Sequence, residues 1–196
     1  MRAREQSIGF FRKGKMKFKE TKLKGCFIIE PTIFNDDRGL FYESYKKIEF
    51  EDQIGKRVNF VQDNISVSKK GVLRGLHYQK GNHAQAKLIQ VLKGEALDVV
   101  VDLRKGSKTF GKHFKLIISS TNKKSIFIPK GMAHGFLALT EEVIFTYKCD
   151  NYYNYRAEGG IVYNDIDLNI DWEISADRAI LSRKDLSLPA LKDLNL

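Results

Sequence analysis

Short apolar runs broken by turn residues recur along nearly the whole chain, and that rhythm limits what it can fold into. Cys26–Glu30 is a first β-like run closed by Pro31, Asn35–Gly39 is a turn, and Leu40–Tyr45 resumes extended structure. Val58–Ser68, Lys87–Lys93, Ala96–Leu103, His113–Ser119 and Ser125–Pro129 all read as strands, and His134–Leu139 with Glu142–Lys148 reads as a further pair. The best helix candidate is 46–55, where Ile48, Phe50 and Ile54 give a partial apolar face and Gly55 is placed as a C-terminal cap. Only the tail, around Ser175–Ile180, offers a second short helix. Many short strands, few helices and no alternation of strand with helix predict a mainly β fold, an antiparallel sandwich or barrel. No internal repeat is present, which excludes solenoids and propellers.

Length and charge narrow the function classes. The 196 residues suffice for one domain with a full core. A net charge of +10 invites a nucleic-acid reading, but residues 1–24 hold nine Lys/Arg against Glu5 and Glu20. Most of the basic character therefore belongs to an N-terminal arm, and with no nucleic-acid motif beside it no nucleic-acid partner is expected. Ile8-Gly9-Phe10-Phe11 is too short for a secretory core, and no later segment approaches a membrane helix, so no membrane partner is expected either. Residues 1–15 read as an extension or misassigned start, with one domain over 16–196. Cys26 and Cys149 announce no disulfide framework, and a reducing cytoplasm is the default location.

Polar groups with chemistry concentrate in 71–87. Arg74 carries a planar cationic fork, His77 suits proton transfer near neutral pH, and Lys87 can sit beside a developing oxyanion. The same stretch also reads as a half-buried hairpin with its polar side in water. In Val58–Ser68, Gln62, Asn64 and Ser66 share one face and Val61, Ile65 and Val67 the other; the polar face is either a pocket wall or a solvated surface. Tyr147 shares a strand face with Val143 and Phe145 and so points inward, as a proton donor or as a core tyrosine. Asn151–Tyr155 clusters aromatics that either stack on planar rings or cover a core edge.

Pro129-Lys130-Gly131-Met132-Ala133-His134 resembles the second metal box of cupin barrels. The first box would need a His-x-His pair followed by Glu, whereas here His77-Tyr78-Gln79 is followed by Lys87. A lysine cation among the ligands opposes a divalent metal, and two histidines are too few. The expectation is a cupin scaffold without its metal and with no cofactor. On a regular strand Arg74 and His77 would face opposite sides of the sheet, so sharing one pocket requires the strand to bulge or twist locally, with Gly75 the obvious place.

Taken together the motifs are specific. Arg38-Gly39-x-Phe41-x-Glu43, Val61-Gln62-Asp63-Asn64-x-Ser66, Val72–Gln79, Gln85-Ala86-Lys87, Asp98-Val99-x-Val101-Asp102-x-Arg104, Thr109-Phe110-Gly111, Ile128–Phe136 and Tyr147-Lys148 closely resemble the dTDP-4-dehydrorhamnose 3,5-epimerase family. The resemblance runs from about Cys26 to Pro189 and implies a cupin-type antiparallel jelly-roll barrel with a few short helices, acting as a homodimer on a dTDP-sugar. It implies His77 as base, Asp185 as its carboxylate partner, Tyr147 as proton donor, and Lys87 with Arg74 at the enolate oxygen, with His134 also touching the ligand. Arg38, Glu43, Gln62, Asn64, Glu158 and Lys184 match positions that hold the nucleotide, and Tyr153 matches the ring stacked on thymine. Three rival readings stay open: an epimerase that inverts a single carbon, a non-catalytic sugar-binding cupin, and a metal-dependent cupin.

Overall fold

The computed structural model describes residues 15–195, so the extension read over 1–15 lies almost wholly outside the described residues. The chain opens with β1 (Lys17–Glu20), β2 (Phe27–Glu30), the short β3 (Phe34–Asp36) and β4 (Gly39–Phe41), then α1 (Lys47–Ile54). There follow β5 (Gln62–Lys69), β6 (Leu73–Gln79), β7 (Lys87–Lys93), β8 (Glu95–Asp102) and β9 (His113–Ser119). The last elements are β10 (Ser125–Ile128), β11 (Met132–Ala138), β12 (Glu142–Cys149), β13 (Glu158–Gly160) and the one-turn α2 (Arg183–Leu186).

Two antiparallel sheets face each other, ordered β1-β2-β10-β7-β12-β5 and β13-β6-β11-β8-β9, with β3 and β4 as a separate hairpin. Period-2 alternation explains how they pack. Ile89 and Val91 of β7 and Phe145 of β12 point between the sheets, where they meet Val100 of β8 and Phe136 of β11. Leu97, Val99 and Val101 point the other way, into a second core that Ile161, Leu168 and Trp172 close from the C-terminal segment. Because β8 is covered on both faces, its sequence between Glu95 and Asp102 is apolar apart from Asp98. A third cluster seats Phe50 of α1 on Leu88 and Phe127, with the Phe50 and Phe127 rings edge to face at 5.1 Å. Gly55 ends α1 in the left-handed region at φ 68°, its N–H bonded to the Glu51 carbonyl. The result is the cupin-type jelly-roll barrel expected from the sequence.

Three local expectations change. The strand expected from Val58 begins only at Gln62, and its apolar side is the outer one, with Ile65 68% and Val67 58% exposed. Extended structure after the hairpin stops at Phe41 instead of reaching Tyr45. Ser175–Ile180 forms no helix: Arg178 N–H bonds the Ser175 carbonyl in a turn, and Ile180 then bridges Val72. The second helix lies just beyond, where Ser182 Oγ accepts the Asp185 N–H and so supplies an N-terminal cap.

Candidate active site

A cavity of about 760 Å³ opens between the two inner faces, with strand register deciding what lines it. On the six-stranded side, Gln62, Cys149 and Lys87 form one row across β5, β12 and β7. Asn64, Tyr147 and Ile89 form the next, followed by Ser66, Phe145 and Val91. The polar face of β5 is thus pocket wall, and its outward apolar residues reflect that parity. Ser66 Oγ is buried and has no hydrogen-bond partner among the described residues, so the wall keeps an acceptor and donor in reserve for a ligand.

On the five-stranded side, His77 sits directly opposite His134 and Arg74 opposite Phe136. Three steps along β6 match two along β11, a one-residue bulge that restores common parity to Arg74 and His77. Gly75 lies within it at φ 112°, and a Cβ there would come within 2.7 Å of the Gly135 Cα and the His134 carbonyl. Both Arg74 and His77 therefore reach the cavity, as the sequence required, and Arg74 Nε donates to Ser68 Oγ at 3.1 Å. Phe136 and Phe145 stack at 4.0 Å between the sheets and floor the site.

Each histidine uses Nε2 for a carboxylate. His77 Nε2 lies 2.5 Å from Asp185 Oδ1, and His134 Nε2 lies 2.7 Å from Asp98 Oδ2. Burial pushes the Asp185 carboxyl up, but hydrogen bonds from His77, Ser182 and the Gly75 backbone outweigh it and hold it below the usual carboxylate range. It is therefore an ionised acceptor that fixes His77 as the Nε2–H tautomer and leaves Nδ1 to take a proton. Burial holds the Lys87 ammonium below the ordinary lysine range, with Cys149, Asp98 and Glu158 opposing. Its Nζ lies 5.8 Å from the Tyr147 ring centre. Burial also raises the Tyr147 phenol, which keeps its proton, and its hydroxyl makes no hydrogen bond among the described residues.

At one end of the cavity, Gln62 Nε2 donates to Asn64 Oδ1 and Gln62 Oε1 accepts the Tyr153 N–H. Glu158 Oε2 accepts from Lys184 Nζ at 2.5 Å and from the Tyr153 hydroxyl at 2.7 Å. Burial alone would raise Glu158, but those two donors hold it below its usual value, while the hydrogen bond to it pushes the Tyr153 phenol up to about 12. Of the sequence candidates, only Arg38 and Glu43 stand outside the cavity. Arg38 pairs with Asp36 in the β3–β4 hairpin, and Glu43 lies 3.7 Å from Lys46.

Asp98, quoted above only within a motif, lies behind the cavity wall as the buried partner of His134; a lone acid inside the apolar run of β8 was its signal. The neighbouring Asp102 has a structural job, accepting from Arg104, Ser107 and Thr109 to hold the turn before β9. The donor set does not fit a divalent metal. His77 and His134 are each committed to a carboxylate, Lys87 shares the cavity, and no group of three metal-ligating side chains converges among the described residues.

The geometry has close relatives. The family model described as dTDP-4-dehydrorhamnose 3,5-epimerase matches residues 20–193. The enzyme of that name from Salmonella typhimurium is 48% identical over 172 residues, spanning 88% of this chain and 93% of that one. Its counterpart from Elizabethkingia anophelis superposes with a TM-score of 0.89 at 54% identity, covering 92% of this chain and 99% of that one. The Legionella pneumophila dTDP-6-deoxy-D-glucose-3,5-epimerase, solved with dTDP-4-keto-L-rhamnose, gives 0.88 at 46% identity, covering 92% and 95%. This chain belongs to the dTDP-4-dehydrorhamnose 3,5-epimerase family.

Proposed function

We propose that the protein converts dTDP-4-dehydro-6-deoxy-D-glucose to dTDP-4-dehydro-L-rhamnose by removing and returning protons at C3 and C5. Both carbons flank the C4 ketone, so loss of either proton gives an enolate. Inversion then needs a base on one face of the ring, an acid on the other and a cation at the oxygen between. The observation that carries the reading is the placement of His77 and Tyr147 on opposite walls of one cavity, with Lys87 in it. His77 Nδ1 takes the proton while Asp185 supports the imidazolium; Lys87 and Arg74 stabilise the enolate oxygen; the Tyr147 hydroxyl reprotonates from the far side. His134 holds the sugar. Gln62, Asn64, Tyr153, Glu158 and Lys184 hold the nucleotide, Tyr153 by stacking on thymine. With a fixed cation at the oxyanion, the reaction uses no metal or cofactor.

The working unit is a homodimer of one domain beginning at residue 16. Leu40, Phe41, Ile65 and Val67 leave apolar surface on the hairpin and on the edge strand β5. Arg38 and Glu43, outside this chain's own cavity, belong in that arrangement to the partner's site. No helix among the described residues is long and apolar enough to cross a membrane, and Cys26 and Cys149 are buried free thiols, which supports a reducing cytoplasm. Incubation with dTDP-4-dehydro-6-deoxy-D-glucose and NMR of the product tests the reading. The L-rhamno configuration at both carbons is expected; inversion at one carbon or none sinks it.

A further inference from the structure

The base depends on a helix too short to stand alone. α2 has four residues, fewer than a stable helical nucleus, so its orientation must be set from outside. The strap that carries it is tied at both ends, by Ile180 to Gly71 and Leu73 and by Pro189 to Val162. Between those ties the turn presents consecutive side chains in different directions. Asp185 reaches His77 on β6, and Lys184 reaches Glu158 on the adjoining β13. The two target strands are paired, with Glu158 opposite Gln79 and Gly160 opposite His77, so the turn is clamped on neighbouring strands of one sheet. Gly160 allows the close approach, since a Cβ there would lie 2.7 Å from both Leu188 methyls. The Glu158 carboxylate is mostly buried, and Lys184 and Tyr153 converge on the same oxygen.

We infer that Glu158 is a positioning residue for the catalytic base: through Lys184 it fixes the rotation of α2 that places Asp185 on His77. This rests on the base assignment above and gives Glu158 a second duty beyond contact with the nucleotide. A connected series, Tyr153 to Glu158 to Lys184 and by the backbone to Asp185 and His77, joins the nucleotide end of the cavity to the proton-transfer end.

The test compares the full-length protein with Glu158→Gln, Lys184→Met and the double variant. Steady-state kinetics are measured on dTDP-4-dehydro-6-deoxy-D-glucose, with imidazole 15N–1H spectra of the ligand-free proteins. Positioning predicts that kcat falls about tenfold or more in each single variant. It also predicts that the double variant is no worse than the poorer single one, because both remove one bridge. In the spectra, the His77 Nε2–H signal shifts or broadens without any ligand. A rise in KM at unchanged kcat, effects that multiply in the double variant, or an unchanged His77 signal overturns the inference. If the wild type fails to turn the substrate over, the substrate reading falls, and the spectra still decide the positioning.

Discussion

Both cavity histidines pair with a carboxylate, and the two pairs, side by side on paired strands, are built differently. Asp98 comes from β8, next to the strand carrying His134, and the pair is nearly dry, with side chains 9% and 0% exposed. Asp185 arrives from 108 residues downstream on a capped turn, and its histidine keeps 27% exposure. A base must release its proton after each turnover, which needs access to solvent or substrate. A group that only holds the sugar is better locked into the core. In the proposed mechanism the same two residue types would serve reaction in one place and orientation in the other, separated by burial and by the source of the carboxylate.

The largest expected effect falls on the open pair. His77→Ala should lower kcat by at least about 100-fold, the usual size of a general-base contribution, with the thermal midpoint little changed. Tyr147→Phe should cost about 100-fold in product formation while solvent deuterium still enters the recovered substrate, because His77 can remove and return a proton on its own face. Mass and NMR analysis of that substrate reads this out. The closed pair responds in stability. Asp98→Ala leaves a buried imidazole without its partner and should cost about 3 kcal/mol in denaturant unfolding, whereas Asp185→Asn should cost much less. Equal losses for the two would erase the distinction.

The smallest effect is in pH. The Asp185 carboxyl is held below its ordinary range, so its contribution to stability is present above that range and is lost as pH falls through the depressed value. Stability curves of the wild type and Asp185→Asn should therefore separate near neutrality and converge in acid; parallel curves would contradict it.

Much of this was legible in the chain. Alternation alone aimed Tyr147 inward with Val143 and Phe145, and the Gly55 cap and most strands stand where period and turn chemistry put them. The parity clash between Arg74 and His77 pointed to a local bulge or twist near Gly75, and the register shift opposite them is a bulge. Other features were not legible, for physical reasons. Which face of β5 is inner depends on tertiary packing, and its apolar side proved to be the outer one. Asp98 pairs with His134 only because β8 lies beside β11, a register no local pattern encodes. The turn carrying Asp185 did have a local mark, Ser182-Arg183-Lys184-Asp185, a capping pattern that outweighs the weak helical signal of Ser175–Ile180.

The most direct test of the central claim follows deuterium from heavy water into the product, with wild type and His77→Ala run side by side. Label at both C3 and C5 is expected with the wild type, and essentially none with His77→Ala at equal time. Label entering either carbon at the wild-type rate without His77 would show that the proton is taken elsewhere, and would contradict the claim.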